Sequence, residues 1–126
     1  MNRLAGAAQS LLRIVAGLLF ICPGGMKLLG WFGGMPGGHL TPLLTVAGII
    51  ELVGGLAILL GLFTRPIAFI ASGEMAVAYF MAHFPKAFWP IQNHGEQAVL
   101  FCFIFLFLAA AGPGPLSFDR AVRRKA

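Results

Sequence analysis

The chain alternates long apolar runs with short breaks rich in glycine and proline. Apolar stretches cover about residues 11–30, 43–63, 67–84 and 96–112. A helix crossing the hydrocarbon layer needs roughly 17–25 largely apolar residues. The pattern therefore predicts four transmembrane helices in a single domain, 1–126. The third and fourth runs are short, so their ends are expected to reach into the interface. Gly33-Gly34-Met35-Pro36-Gly37-Gly38 breaks the first connection, Thr64-Arg65-Pro66 the second, and Pro85 with Pro90 the third. Gly112-Pro113-Gly114-Pro115 then opens a short polar tail. The tight second connection makes the second and third spans antiparallel neighbours, and Pro23 is expected to kink the first. The predicted fold is all-α, a transmembrane four-helix bundle.

A β-barrel is the first alternative, because Phe101, Phe103, Phe105 and Phe107 alternate. The intervening Cys102, Ile104 and Leu106 are apolar too, so no polar lumen face exists. A cleaved signal peptide is the second. No small-x-small site follows the first apolar run and Lys27 lies within it, so that run is read as a retained helix.

Composition sharpens the assignment. The chain is 59% hydrophobic and only 10% charged, with mean hydropathy +0.88, whereas soluble domains carry about a quarter charged residues. Intrinsic disorder is excluded, and two cysteines cannot staple a chain of this length. The net charge of +5 is unevenly placed. Arg3, Arg65, Arg120, Arg123, Arg124 and Lys125 fall on one side, while the opposite loops carry only Lys86, with Lys27 near the membrane edge. Positive loops stay in the cytoplasm, which places both termini there in a bacterial-type inner membrane. Trp31, Phe32, Phe84, Phe88 and Trp89 form an interfacial aromatic belt on the other side. The basic tail suits anionic lipid headgroups rather than nucleic acid, making the lipid bilayer the first partner.

Arg13, Glu51 and Glu74 fall inside the spans, with Lys27, His83 and Glu96 toward the outer edge. Each charge at a helix centre costs roughly 2.5–3.5 kcal/mol on insertion scales, so these groups must face the bundle interior and find partners. Their spacing agrees. Gly48, Glu51 and Gly55 share one helical stripe; Ala71, Glu74, Ala78 and Ala82 share another; Arg13, Gly17, Gly24 and Lys27 a third. Small residues mark faces where membrane helices approach closely, while Ile70, Val77 and Phe80 point to lipid. Arg13 is expected to reach Glu74, and Lys27 to pair with Glu96. Three acids against two bases then leave one carboxyl, most simply Glu51, to be neutralised by a proton, a histidine or a ligand. Mid-membrane carboxylates with an arginine favour a functional site over a network that only fixes register.

Weaker groupings add little. His83, His94 and Glu96, with His39 nearby, lack metal-ligand spacing, so no metal is expected. His83 and His94 flank a loop instead of facing each other across a haem. Cys22 and Cys102 match in depth but lack basic neighbours, and are read as packing residues. No phosphate loop, nucleophile elbow or dinucleotide fingerprint occurs. Any cofactor is therefore lipophilic or brought by a partner, and none is covalent.

A set of short motifs runs in order across nearly the whole chain. The first helix carries Leu12-Arg13-Ile14, Gly17-Leu18-Leu19-Phe20 and Gly25-Met26-Lys27-Leu28. Glu51-Leu52-Val53-Gly54-Gly55 and Leu59-Leu60-Gly61-Leu62-Phe63-Thr64-Arg65 follow, then Glu74-Met75, His83-Phe84-Pro85, Phe88-Trp89-Pro90 and Asn93-His94-Gly95-Glu96. Gly112-Pro113-Gly114-Pro115-Leu116-Ser117-Phe118-Asp119 closes the set. Taken together, these motifs resemble the DoxX family of small four-helix membrane proteins. Family members commonly carry a histidine before the first-helix glycine, where this chain has Cys22-Pro23-Gly24. The resemblance implies a four-helix bundle tied to membrane redox chemistry, since the family is named for a subunit of a thiosulfate–quinone oxidoreductase. It thus implies a membrane subunit of a quinone-linked oxidoreductase system, fed with electrons by a partner protein. A quinone ring would sit among Trp31, Phe84 and Trp89; Lys27, His83, His94 and Glu96 would hold the ligand or exchange protons; Arg13, Glu51 and Glu74 would form the inner polar core. Two alternatives stay open: proton-coupled binding or transport of a small lipophilic or cationic compound, and a non-catalytic assembly subunit. A homo-oligomer is compatible with each.

Overall fold

The computed structural model describes residues 3–34, 41–117, 119 and 121. His39, Arg120, Arg123, Arg124 and Lys125 lie outside the described residues. The described chain is helical, with no strand. Its elements are α1 (Arg3–Leu29), α2 (Pro42–Leu60), α3 (Thr64–Ala78), a short α4 (Pro90–Asn93) and α5 (Glu96–Ala111). Three segments are long and apolar enough to cross a membrane: Arg3–Leu29, Pro42–Leu60 and α3 with its extension to Lys86. The 16-residue α5 is apolar but shorter. It spans about 24 Å at 1.5 Å per residue, less than the roughly 30 Å hydrocarbon layer.

Two boundaries differ from the sequence expectation. Helix α1 begins at Arg3, well before the apolar run, because its alanine-rich first turns are good helix formers. There Gly6, Gln9 and Ser10 are buried. The third span is longer than expected: α3 continues through a π-helical turn, Tyr79–His83, and a 3₁₀ turn, Phe84–Lys86. Pro85 stands at the start of that 3₁₀ turn, where a missing N–H costs nothing. Pro23 lies inside α1.

Close approach at glycines defines the pairing of α1 with α2. A Cβ at Gly17 would lie 2.6 Å from the Leu59 backbone nitrogen, and one at Gly24 would run into that of Leu52. On α2, Gly55 meets the Ile21 backbone, and Gly48 faces Leu28 and the Lys27 Cβ. Helix α3 packs along α5, and the two pairs meet at the aromatic centre formed by Phe20, Phe101 and Phe105. Ala16, Ile58, Ala68, Ala71 and Leu108 complete this core. Ile70, Val77 and Phe80 are exposed, as the stripe pattern requires.

Both ends of α2 are closed by capping chemistry. Thr41 Oγ1 accepts from the Leu44 N–H at the start of α2, with Pro42 behind it. Gly61, at φ 74°, terminates α2 in the left-handed conformation, with the Leu62 N–H returning to the Ala57 carbonyl. The α2–α3 turn also holds Phe63 at φ 49°, a region that disfavours side chains with a Cβ.

Substituting Gly24 by leucine should force α1 away from α2 and destabilise the protein by about 1–3 kcal/mol or more. A Cβ at Gly73 meets nothing within 4 Å, so Gly73→Ala should not destabilise the protein and should raise its stability by up to about 1 kcal/mol. Thermal melting of both variants in detergent, followed by size-exclusion chromatography, checks the contrast.

Candidate functional site

Ionisable side chains inside the bundle form two groups, at opposite ends of an apolar middle. The group nearer the aromatic end begins with Lys27, two residues before the end of α1. Gly48 has no side chain to hold the Lys27 stem away from α2. The ammonium accordingly turns inward and donates to Glu51 Oε1 at 2.7 Å. Glu51 lies about 14 Å along α2 from its start, with its side chain 2% exposed, against 13% for Lys27. Glu74 enters from α3, where its carboxyl lies beside that of Glu51 and within electrostatic reach of Lys27. Its Oε1 is buried without a hydrogen-bond partner. Two carboxyls and one ammonium thus share one apolar site.

Both expected pairings therefore change. Lys27 joins Glu51 and not Glu96, because the buried carboxylate sits in a medium of low dielectric where attraction at contact is far stronger than at the wet rim. Glu51 already holds a counterion, and Glu74 is the carboxyl of the trio without a cation of its own. Arg13 does not reach Glu74. It lies about 21 Å from Lys27 along α1, and it works at the other end.

There Arg13, 2% exposed, donates through Nη1 to the Pro113 carbonyl at 3.2 Å and lies in the field of Asp119. The chain after α5 runs as a strap across the ends of α1, α2 and α3. Gln9 Nε2 donates to the carbonyls of Ala111 and Gly112, and the Leu116 N–H donates to Ser10 Oγ. Arg65 Nη1 caps α5 at the Ala110 carbonyl. Asp119 closes the strap: its carboxylate accepts from the N–H groups of Phe63 and Thr64 at 2.9 and 3.1 Å, at the start of α3. A carboxylate at a helix N-terminus is favoured by both hydrogen bonding and the helix dipole. Arg13 is thus part of the strap that ties the termini together, a role its position in a hydrophobic run does not disclose.

At the aromatic end the organising residue is Asn93, which is fully buried. Its amide donates to Tyr79 Oη and to the Ala87 carbonyl, both at 3.0 Å, while Oδ1 accepts from the Gly95 N–H. His83 Nδ1 donates to the Asn93 carbonyl at 3.1 Å. The π-helical turn carries both Tyr79 and His83, and such turns often mark functional sites. His94 takes a left-handed conformation, φ 60°, and is exposed; Glu96 is exposed at the first turn of α5. Phe84, Phe88 and Trp89 form an edge-to-face series of exposed rings. Trp31 instead folds back on Gly25 of α1. The described rings thus divide between two places. Asn93 stands in one of the sequence motifs, but nothing there assigns it a role, because a single amide in a loop has no periodicity to reveal one.

Among the described residues no group of three His, Cys, Asp or Glu is arranged to hold a metal ion. Cys22 and Cys102 are free thiols, hydrogen-bonded within reach of the Leu18 carbonyl and the Ser72 hydroxyl respectively.

The DoxX family model matches residues 8–84. Two curated relatives span almost all of the chain. One is an uncharacterized protein of Haemophilus influenzae, 43% identical over 90% of each chain. The other is the inner membrane protein YqjF of Escherichia coli, 31% identical over 99% of each. No solved structure gives a significant match.

Removing one partner of the buried pair strands the other, at a cost of about 3–5 kcal/mol. Lys27→Met should therefore be strongly destabilising. The double variant Lys27→Met/Glu51→Leu should recover most of that loss, because an apolar pair of similar volume needs no counterion. At the strap, Asp119→Ala should cost about 0.5–2 kcal/mol through the lost cap. Chemical or thermal unfolding in a fixed detergent measures all three.

Proposed function

The chain belongs to the DoxX family, and from this membership and the geometry above we propose that it is the quinone-handling membrane component of a redox system. In this reading Lys27, Glu51 and Glu74 are its proton-exchange site. The chain is a multi-pass membrane protein; we assign it to a bacterial inner membrane with both termini cytoplasmic, on the one-sided distribution of arginine and lysine.

The observation that carries the reading is the Glu74 carboxyl, which lies in hydrogen-bonding range of the Glu51 side chain while its Oε1 is buried without a partner, beside a lysine–glutamate ion pair. Buried polar atoms are nearly always paired, so an orphan facing an ion pair suits an exchangeable proton or a ligand hydroxyl. A quinone–quinol ring presents two oxygens that alternate between acceptor and donor, and the trio offers both kinds of partner. When bound, a quinone supplies a two-electron, two-proton couple, with electrons passing through a partner protein. The chain's own residues do the rest. Lys27 fixes Glu51, and Glu74 Oε1 accepts or gives up a proton. The apolar surroundings keep water from competing for it. His83, His94, Glu96, Trp31 and Trp89 stand at the aromatic end as the entrance and not as the proton-exchanging group.

A second reading follows from charge. Fully ionised, the trio carries two negative charges and one positive. One proton or one small cation would balance it, which suits proton-coupled binding of a cationic compound.

The protein in lipid nanodiscs should bind a hydrophobic quinone analogue saturably. Glu74→Gln should weaken that binding about tenfold or more, as expected for a hydrogen bond to a charged group. An equal affinity in the variant, or none in the wild type, overturns the quinone reading; substrate-driven proton flux in vesicles that Glu74→Gln abolishes would favour the second. For topology, a fluorescent protein fused to either end should fluoresce, and an alkaline phosphatase fusion there should be inactive.

A further inference from the structure

We propose that the Lys27–Glu51–Glu74 site opens to one side of the membrane only, the side of the aromatic loops, and that a cluster of three phenylalanines seals it from the side of the termini. The inference takes from the reading above only that the trio is a working site, whatever its ligand.

The seal is visible as ring geometry. Phe20 of α1 and Phe101 and Phe105 of α5 form a closed triangle, with ring centroids 4.7, 5.4 and 5.6 Å apart. Phe20 and Phe105 have no exposed surface, and Phe101 has 6%. Ile58 and Leu108, both fully buried, back the triangle on the side of the termini. Ala16, Ala68 and Ala71 let the helices close around it. No Asp, Glu, Lys, Arg or His occurs between Arg13 and Lys27, between Glu51 and the end of α2, between Arg65 and Glu74, or in α5 after Glu96. Ser72, the buried hydroxyl at this level, is already committed to the Cys102 carbonyl at 2.7 Å. A proton or polar ligand moving toward the termini would meet a dry aromatic layer with nothing to receive it, a barrier of the kind that hydrophobic constrictions impose in channels.

The opposite direction is short. Lys27 stands two residues from the end of α1, and its ammonium-bearing chain, 13% exposed, links the pair to the rim. On the third helix, the π-helical turn starts five residues beyond Glu74 and leads to His83. At the other end the strap is locked by Gln9, Ser10, Arg13 and Asp119. The site therefore has a short polar path on one side and a dry aromatic layer on the other, and a through-channel would require the three rings to separate.

The test is sided chemical access in sealed proteoliposomes. A Cys22→Ala/Cys102→Ala background carries Glu74→Cys, with Arg3→Cys and Lys86→Cys as reporters of the two faces. A membrane-impermeant cationic methanethiosulfonate is applied from one side at a time. Glu74→Cys should react from the Lys86 face about tenfold or more faster than from the Arg3 face, the ratio produced by ~1.4 kcal/mol in barrier. Adding Phe105→Ala should raise the rate from the Arg3 face alone. The same sidedness is measured in the unsubstituted protein by coupling a water-soluble carbodiimide and glycine ethyl ester to Glu74 and reading the adduct by mass spectrometry, so that a poorly folding cysteine variant does not decide the matter. Faster labelling from the Arg3 face, equal labelling from both, or none from either overturns the proposal. Each of these outcomes is independent of whether a quinone analogue binds.

Discussion

The close contact of α1 with α2 governs the rest of this molecule. In lipid there is no hydrophobic force between helices, and association rests on packing and on interhelical hydrogen bonds. Glycines at 17, 24, 48 and 55 remove the side chains that would hold the two backbones apart. At the distance this allows, Lys27 reaches Glu51 and two costly charges become one ion pair. The pair in turn fixes the register of the helices that made it. Glu74, arriving from the second helix pair, then faces an environment already shaped by a fixed cation.

Polarity is distributed along the bundle in layers, and each layer does a different thing. At the termini, Arg13 and Asp119 hold a strap that joins residues more than fifty positions apart in sequence. In the middle, phenylalanine rings fill the interior. Toward the loops, a lysine and two glutamates share a small apolar site, and Asn93 ties the third connection to the π-helical turn. Arginine suits the first of these tasks because it stays charged when buried, so that one guanidinium both donates to the Pro113 carbonyl and lies in the field of Asp119. Lysine suits the third, because a compact ammonium on a flexible stem can be delivered past a glycine to a single oxygen.

Sequence patterning went far here because a membrane imposes one strong rule, that apolar runs of sufficient length become helices with satisfied backbones. The lipid-facing Ile70, Val77 and Phe80 and the inward Gly48, Glu51 and Gly55 were readable from helical spacing alone. Spacing could not decide which buried charge met which. The expected pair of Arg13 with Glu74 does not form, because position along a helix says nothing about azimuth or about a strap returning from the C-terminus. Likewise, Pro85 and Pro90 looked like simple breaks, although the chain uses one to begin a 3₁₀ turn and the other to begin α4.

The order of residues by itself determined the four long helices, the glycine-marked contact faces and the presence of buried acids and bases, since each follows from local periodicity and the cost of placing charge in oil. Only the folded arrangement decided that Lys27 belongs to Glu51, that Glu74 stands beside them without its own cation, and that Arg13 serves the strap. Those assignments depend on ångström-scale distances between segments far apart in the chain, and such distances are set jointly by all the packed helices.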